Sequence, residues 1–210
     1  MEAGATTPEK APRRPRSDGI RSRQAILKRA ASLATVEGIA GLTLSRLAEE
    51  VGMSKSGVYA HFGSKEELQL ATVDFAEDVF TTEVIGPGGD IEPGVARLTA
   101  YADLFLRHVQ ESIYPGGCFF ASALTELDTH PGPVRDRAFT FLDKWATLLQ
   151  REVEAAQAAG EIREDVSAAQ LTFELGAFLF MANTQFVARG DAALLDAARV
   201  AVRDRLAAAA

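Results

Sequence analysis

Residues 44–62 read Leu-Ser-Arg-Leu-Ala-Glu-Glu-Val-Gly-Met-Ser-Lys-Ser-Gly-Val-Tyr-Ala-His-Phe. Two short helices, over 44–51 and 55–62, fit this stretch, because Thr43 and Ser54 precede them and both residue types cap helix N-termini. Gly52 lies between the two helices and can adopt the positive φ that a tight turn requires. The stretch therefore predicts a helix-turn-helix, in which two short helices meet at a steep angle.

The second of these helices has an outward face without ion-pairing residues at helical spacing. Val58 and Phe62 are its large apolar residues and are expected to pack inward. The outward positions are small or can form hydrogen bonds, and they are Lys55, Ser56, Gly57, Tyr59, Ala60 and His61. A helix with this face is suited to press against another molecule, as recognition helices press into the DNA major groove.

Helical signals continue along the rest of the chain. A first helix is predicted over 20–37, and Ser64 with Glu67 forms a capping box that begins a helix over 65–84. The run Gly86-Pro87-Gly88-Gly89 is expected to stop that helix. Later helices are predicted over 93–111, 119–129, 133–158, 167–188 and 191–207. Because no run shows the alternating pattern of a half-buried strand, the predicted fold class is all-α.

The composition of the 210 residues is that of a globular protein, with 47% hydrophobic and 24% charged residues. The net charge is −7, but it is unevenly distributed. Residues 1–65 hold 11 Lys and Arg against 6 Asp and Glu, a net of +5, and residues 66–210 hold 11 against 23, a net of −12. This asymmetry fits a local polyanion-binding head, and it fits a basic tail without that function equally well.

The N-terminal segment, 1–18, is expected to form a disordered basic tail. It is rich in Pro, Arg, Thr and Gly and has no periodic apolar pattern. Its arginines, Arg13, Arg14 and Arg16, could enter a DNA minor groove, as basic arms do, or remain solvated without a contact.

The chain shows no pattern of export or membrane insertion. Its first residues lack the apolar core of a secretory signal, and its most apolar run, 175–182, has eight residues, where a spanning helix needs about 20. The one cysteine, Cys118, excludes an intramolecular disulfide. It is either a redox-sensing thiol or, since nothing basic adjoins it, an inert buried residue. We expect a soluble, cytoplasmic protein.

The run from Leu42 to Leu68 resembles the DNA-binding domain of the TetR/AcrR family of transcriptional regulators. The resemblance rests on Ser54-Lys55, Val58-Tyr59-Ala60-His61-Phe62 and Ser64-Lys65-Glu66. It covers about 20–70 closely, and the remaining chain agrees with the family in its length and its all-helical character.

This resemblance implies a two-domain, all-α architecture. Residues 19–64 would form an N-terminal three-helix helix-turn-helix DNA-binding domain. Residues 65–210 would form a C-terminal helical domain that binds an effector and dimerises, and whose ligand occupancy changes the spacing of two DNA-reading heads.

The resemblance also implies roles in DNA binding for eight residues. Thr43 would hydrogen-bond a phosphate, Lys65 would anchor another at a helix N-terminus, and Tyr59 and His61 would hold phosphates beside the groove. The residues implied along base edges are Lys55, Ser56, Gly57 and Ala60. The family often has a larger residue at Ala60, so base readout is expected to depend on Lys55, whose ammonium could reach guanine O6 and N7.

Aromatic residues are concentrated after the helix-turn-helix, where 11 of the 12 phenylalanines and Trp145 lie. Six of these rings are candidate effector contacts: Phe105, Phe119, Phe120, Phe141, Trp145 and Phe178. Together they suit an apolar or aromatic effector, although each one alone is better explained as part of the core. The acidic residues Asp103, Glu126 and Asp128 could favour a cationic effector or could form a solvated face.

The last two predicted helices are candidates for a homodimer interface. The helix over 167–188 is apolar on two sides, one carrying Leu171 and Leu175 and the other Phe173 and Val187, so it must be covered twice. The last helix carries one narrow stripe, formed by Leu195, Ala198 and Val202. A twofold dimer built on these helices would read a near-palindromic operator.

The sequence therefore predicts a ligand-responsive, sequence-specific DNA-binding regulator, a repressor released from a palindromic operator by its effector, with activation left open. We expect no catalytic residues, no metal and no cofactor. An all-helical enzyme is disfavoured, because no nucleophile, base and orienting group occur in a recognisable set. A helical interaction module that no longer binds DNA remains the other alternative.

Overall fold

The computed structural model describes residues 15–210, with side chains described from residue 19 onward. Its helices are α1 (Pro15–Glu37), α2 (Leu44–Val51), α3 (Lys55–Phe62), α4 (Lys65–Phe80), α5 (Gly86–Gly89), α6 (Val95–Gln110), α7 (Phe119–Leu127), α8 (Pro133–Ala158), α9 (Ala168–Arg189) and α10 (Ala193–Ala207). A π-helical turn, Thr81–Ile85, joins α4 to α5. The described residues contain no strand, and the predicted all-α fold is confirmed.

The first helix begins earlier than the sequence predicts. It starts at Pro15 instead of near residue 20, so the last residues of the predicted tail belong to α1. Proline is accommodated in a first helical turn, because no intrahelical partner is needed there for the missing N–H. The remainder of the predicted tail, 1–14, with Arg13 and Arg14, lies outside the described residues, as does the side chain of Arg16.

Helices α1–α3, here called the head, pack around their own small core. Thr43 Oγ1 accepts a hydrogen bond from the backbone N–H of Arg46 at 3.1 Å, and Ser54 Oγ accepts one from Gly57 at 3.1 Å. Gly52 has φ +65° between the two capped helices. Leu47 is fully buried in this core, as is Val58. The predicted caps and turn are thus confirmed.

Helices α4–α10, here called the body, enclose a second and larger core. Helix α9 packs between α8 and α10, while α6 contacts both α9 and α10. Helix α4 packs on α1 at one end and on α8 further along. The body is therefore continuous with the head through α4.

The glycine-rich segment after α4 does not stop the helix as expected. The chain widens into the π-helical turn and then forms α5, with Pro87 in the first turn, where a missing N–H costs nothing. Gly88 packs flat against the ring of Tyr101, which leaves no room for a side chain. Gly88 thus allows the close packing of α5 against α6.

The predicted apolar stripe on the last helix is wrong as a partner-facing surface. Leu195, Ala198 and Val202 are all buried within the chain, because α10 turns this face toward α9 and α6. The second apolar side of α9 is instead exposed, with Phe173 at 71% and Val187 at 43%. A surface that a second copy could cover thus lies chiefly on α9.

Helix α9 is the one described helix that is long and apolar enough to cross a membrane by length and composition, with a mean hydropathy of 1.2. Its longest continuous apolar run, 175–182, has only eight residues, so the apolar character of the whole helix was not predicted from that run. Core helices of soluble proteins pass the same test, and one whole side of α9 is buried in the body.

Candidate functional site

The outward face of α3 is presented to solvent as a set of hydrogen-bonding and small residues. Lys55, Ser56 and Ala60 are exposed, and Tyr59 is 56% exposed. Gly57 and His61 are half-buried, while the two apolar residues of the helix are buried in the head. Six of the eight predicted DNA-binding residues therefore share one accessible helix.

Two arginines of the head are engaged in ion pairs, whereas the lysine of α3 has no ionic partner among the described residues. Arg46 pairs with Glu37 at 2.6 Å and with Glu50 at 2.9 Å, and Arg29 also pairs with Glu50. Arg23 lies over the ring of Phe62, 4.8 Å from its centroid. Lys55, by contrast, forms no ion pair with any described residue, so its charge is available to a polyanion.

The other two predicted DNA-binding residues flank α3 and already have partners. The Thr43 hydroxyl accepts the capping hydrogen bond, and its own proton remains free to be donated to a phosphate. Lys65 Nζ donates to the carbonyl of Ala40 at 2.6 Å, at the first turn of α4. An ammonium has three donors, so Lys65 can hold this loop and a phosphate together.

The predicted effector residues largely form one aromatic cluster inside the body. Phe105, Phe119, Phe120 and Phe141 are buried, and Trp145 is half-buried against them. Phe120 stacks on Phe141 with ring centroids 3.9 Å apart, and Phe119 meets Phe120 edge-on at 5.3 Å. Phe178 packs against the same core but makes no ring contact with these residues in the described part of the chain.

The centre of this cluster is Phe80, which the sequence analysis did not select. Its ring lies 5.2 Å from that of Trp145, 5.3 Å from that of Phe141 and 5.8 Å from that of His108. Phe80 ends α4, immediately before the π-helical turn, and π-helical turns are frequent at functional sites.

Two polar residues of the cluster were also missed. His108 and Tyr114 are buried, and burial lowers the pKa of His108 to about 4 and raises the pKa of Tyr114. The signal for His108 was present in the sequence, because Tyr101, Phe105 and His108 are spaced by four and three residues and so share one face of α6.

The cysteine of the body lies at the start of α7. Cys118 is buried, and burial raises the pKa of its thiol to about 11. A protonated, inaccessible thiol is a poor nucleophile, so of the two interpretations left open above, the structure supports the inert residue.

Body side chains hold the α1–α2 loop of the head directly. Glu126 on α7 accepts hydrogen bonds from the backbone N–H groups of Ile39 and Ala40, both at 2.7 Å. Gln69 on α4 donates to the Ile39 carbonyl at 2.5 Å. Because Glu126 is engaged here, it cannot line a cationic effector site as one sequence-based hypothesis held.

A second head–body contact lies one turn before that loop. The backbone N–H of Gly116, in the α6–α7 loop, donates to Thr35 Oγ1 at 3.1 Å. Gly116 lies so close to the Thr35 carbonyl that a side chain there would collide with it. The α6–α7 loop is therefore packed tightly against the last turn of α1.

A crevice of about 550 Å³ opens between the end of α4 and α8. The π-helical turn lines it with Thr81 and Ile85, and Phe141 forms part of its wall. Its volume lies within the range of small-molecule sites. Phe141 therefore belongs both to the wall of the crevice and to the aromatic cluster.

Family models match both parts of the chain. The model described as bacterial regulatory proteins, tetR family, matches residues 26–72, and the tetracyclin repressor-like C-terminal domain matches residues 94–202. A search of curated proteins found no match.

Solved structures of similar fold cover nearly the whole chain. A TetR transcriptional regulator from Chloroflexus aurantiacus has a TM-score of 0.83 and 27% identity, over 91% of this chain and 96% of that one. AibR, in complex with isovaleryl coenzyme A and operator DNA, has a TM-score of 0.70 and 24% identity, over 84% and 95%. A regulator from Saccharomonospora viridis in complex with choline has a TM-score of 0.67 and 21% identity, over 88% and 95%.

Proposed function

Because the chain belongs to the TetR family of transcriptional regulators, we propose that it is a repressor that a small apolar or aromatic effector releases from a near-palindromic operator. Members of this family are DNA-binding regulators, not enzymes. We further propose that it acts in the cytoplasm as a homodimer, with residues 19–64 binding DNA and residues 65–210 binding the effector and the second subunit.

The observation that carries this proposal is the face of α3. Its only lysine has no ion pair among the described residues, and its tyrosine is more than half exposed, while neighbouring arginines are paired within the head. In the major groove, Lys55 would read guanine and Ser56, Gly57 and Ala60 would allow close approach of the backbone to base edges.

Phosphate contacts would fix the position of this helix on the duplex. Tyr59 and His61 lie on the same helix as Lys55, and Thr43 and Lys65 flank it on either side. Contacts of this kind orient a protein without reading sequence. They also predict salt-dependent affinity, because each neutralised phosphate releases counterions.

The exposed side of α9 is the proposed dimer surface. Phe173, Ala177 and Val187 are exposed on one stripe, and Phe180 is half-buried within it. Val200 adds an exposed apolar residue on α10, 55% accessible. A twofold arrangement would cover these residues against their own copies, as isologous interfaces do.

The aromatic cluster is the proposed effector site, reached through the crevice beside α8. AibR and the Saccharomonospora viridis regulator were solved with isovaleryl coenzyme A and with choline, respectively. Proteins of this fold therefore bind effectors of different chemistry, and the chemistry of this chain's effector depends on its own residues.

The hydrogen bonds of Glu126 and Gln69 to the α1–α2 loop are the proposed route from effector to DNA. Both residues belong to body helices, α7 and α4, and both of these helices contribute rings to the aromatic cluster. An effector that separates those rings would displace the loop and, with it, the head. The distance between the two recognition helices of the dimer would then no longer match the operator.

The test is selection of binding sites from a random double-stranded DNA pool by the purified protein at one near-physiological salt concentration. The proposal predicts enrichment of a palindromic consensus whose half-sites lie about one helical turn apart. Failure of a folded, ligand-free protein to enrich any sequence would favour a helical interaction module. Placing the consensus upstream of a reporter then separates repression from activation.

A further inference from the structure

Two polar side chains lie inside the aromatic cluster without hydrogen-bond partners for one atom each. His108 is 4% exposed and Tyr114 is 3% exposed, and their ring centroids are 6.2 Å apart. Among the described residues, nothing bonds to His108 Nδ1 or to the Tyr114 hydroxyl. Proteins pair nearly all of their buried polar atoms, so two unpaired atoms on adjacent rings need an explanation.

The pair lies at one end of the cluster, in contact with apolar rings. His108 meets Phe80 edge-on at 5.8 Å, and Tyr114 lies 6.4 Å from Phe119. Phe80 in turn contacts Phe141, and Phe141 also lines the crevice. A flat molecule that enters from the crevice and separates these rings would bring its far end to the two unpaired atoms.

Charged residues line the crevice, namely Glu77, Asp143, Lys144 and Arg151, but neither of the two unpaired atoms bonds to a charged group. Burial holds His108 in its neutral form, with its pKa near 4, and raises the pKa of Tyr114, so both are uncharged at neutral pH. The acidic Asp103 lies 3.4 Å from Arg203 and 3.6 Å from Arg199, outside the cluster. A charged ligand group would lose its hydration there without gaining a counter-ion, and that loss is costly.

We propose that His108 and Tyr114 are the polar anchors of the effector site and that the effector is an uncharged aromatic compound bearing a hydroxyl or carbonyl oxygen. The inference rests on the proposed function, because it takes the aromatic cluster as the effector site. It adds the ligand's chemistry: a flat apolar body stacks among the rings, and one oxygen bonds to the Tyr114 hydroxyl and to His108 Nδ1.

Four probes that share one body test the ligand's chemistry: p-cresol, toluene, p-toluate and p-methylbenzylammonium. Trp145 is the only tryptophan of the chain and belongs to the cluster, so its fluorescence reports binding to the full-length protein directly. We expect p-cresol to bind at least tenfold more tightly than each of the other three. Equal binding of toluene, a preference for either ion, or no binding of p-cresol would overturn the proposal.

Substitutions test the anchors independently of ligand size. Tyr114→Phe should remove most of the preference for p-cresol over toluene and leave Tm unchanged or a few degrees higher, since a buried unpaired hydroxyl is lost. Thr172→Val is the matched control, because it removes another buried hydroxyl without a partner, on α9. It should keep the p-cresol preference.

Two outcomes of the variant experiment count against the anchors. A lower Tm for Tyr114→Phe would show that the hydroxyl stabilises the fold, and an unchanged p-cresol preference would show that it does not touch the ligand. Because fluorescence is measured without DNA, either result is separate from failure of the proposed function, which the DNA selection detects.

Discussion

The head and the body present their functional side chains in opposite ways. Six of the eight candidate DNA contacts lie on one short, accessible helix, α3, where the backbone and caps of that helix position them. The candidate effector contacts of the body are buried rings contributed by α4, α6, α7 and α8. Removing an exposed side chain from α3 should therefore affect binding alone, whereas removing a whole ring from the body should affect folding and binding together.

The difference also concerns the electrostatics of the two regions. The head keeps an unpaired cation at its surface, where a polyanion can reach it. The body buries neutral polar groups among aromatic rings and carries its acidic excess on other surfaces. The two regions thus suit a charged macromolecule and a small uncharged molecule, respectively.

The largest predicted effect tests whether the exposed side of α9 packs against a second subunit. Phe173→Asp combined with Val187→Asp should raise the dimer dissociation constant about a thousandfold, or about 4 kcal/mol, because charges would enter an apolar interface. Sedimentation equilibrium measures this constant. Ile91→Asp, at an exposed apolar residue outside α9 and α10, is the control and should leave the dimer intact.

The second-largest predicted effect is the pH dependence of the free energy of unfolding, which tests the burial of His108. Between pH 6.5 and about 4 the unfolded chain binds a proton on this residue that the folded chain does not, so the free energy of unfolding should fall as pH falls. The loss should reach up to about 3 kcal/mol by pH 4.

Urea unfolding at a series of pH values measures this loss. It should largely disappear in His108→Phe and persist in His130→Gln, which alters an exposed histidine. A profile unchanged by His108→Phe would mean that the ring is hydrated in solution, contrary to its burial among aromatic side chains.

Features of the head could be predicted from the sequence because they are local. The caps at Thr43 and Ser54 join residues three apart, and the positive φ of Gly52 follows from the turn between two capped helices. For such features the neighbours in sequence are also the neighbours in space, so a short motif contains all the information that is needed.

Features of the body depend on contacts between distant residues, and there the sequence was less informative. The stripe on α10 was assigned to a partner because periodicity identifies an apolar face without saying what covers it. Glu126 bonds to residues 86 and 87 positions earlier, and no spacing rule predicts that contact. Phe80 was not among the predicted contacts, because nothing in its local sequence shows that the end of α4 packs against α6, α7 and α8.

The head itself is tested by Lys55→Ala. Loss of one base contact should weaken binding to the selected operator by about 2 kcal/mol, or roughly thirtyfold, and should relax specificity at one base pair of each half-site. Tm should not change, because Lys55 is exposed and makes no ion pair with described residues. Lys28→Ala removes the same charge from α1 and should have a much smaller effect; an equal effect would indicate nonspecific attraction in place of base readout.

The smallest effect tests the link that joins the two regions. Glu126→Gln replaces two charge-assisted hydrogen bonds to the α1–α2 loop with one neutral acceptor, so it should lower stability by about 1 kcal/mol and Tm by about 2–4 °C. Asp128→Asn, two residues later at the C-terminal cap of α7, removes the same charge from an exposed side chain without described partners and should change neither the stability nor Tm.

The more informative measurement on Glu126→Gln is operator release. If the loop transmits effector binding to the head, the variant should bind operator DNA with nearly unchanged affinity and require more effector for half-release, because the coupling free energy between the two sites is smaller. Release at the wild-type effector concentration would place the coupling elsewhere, at the Gly116–Thr35 contact or in the packing of α4 on α1. Head and body would then communicate through helix packing, with the Glu126 carboxylate serving stability alone.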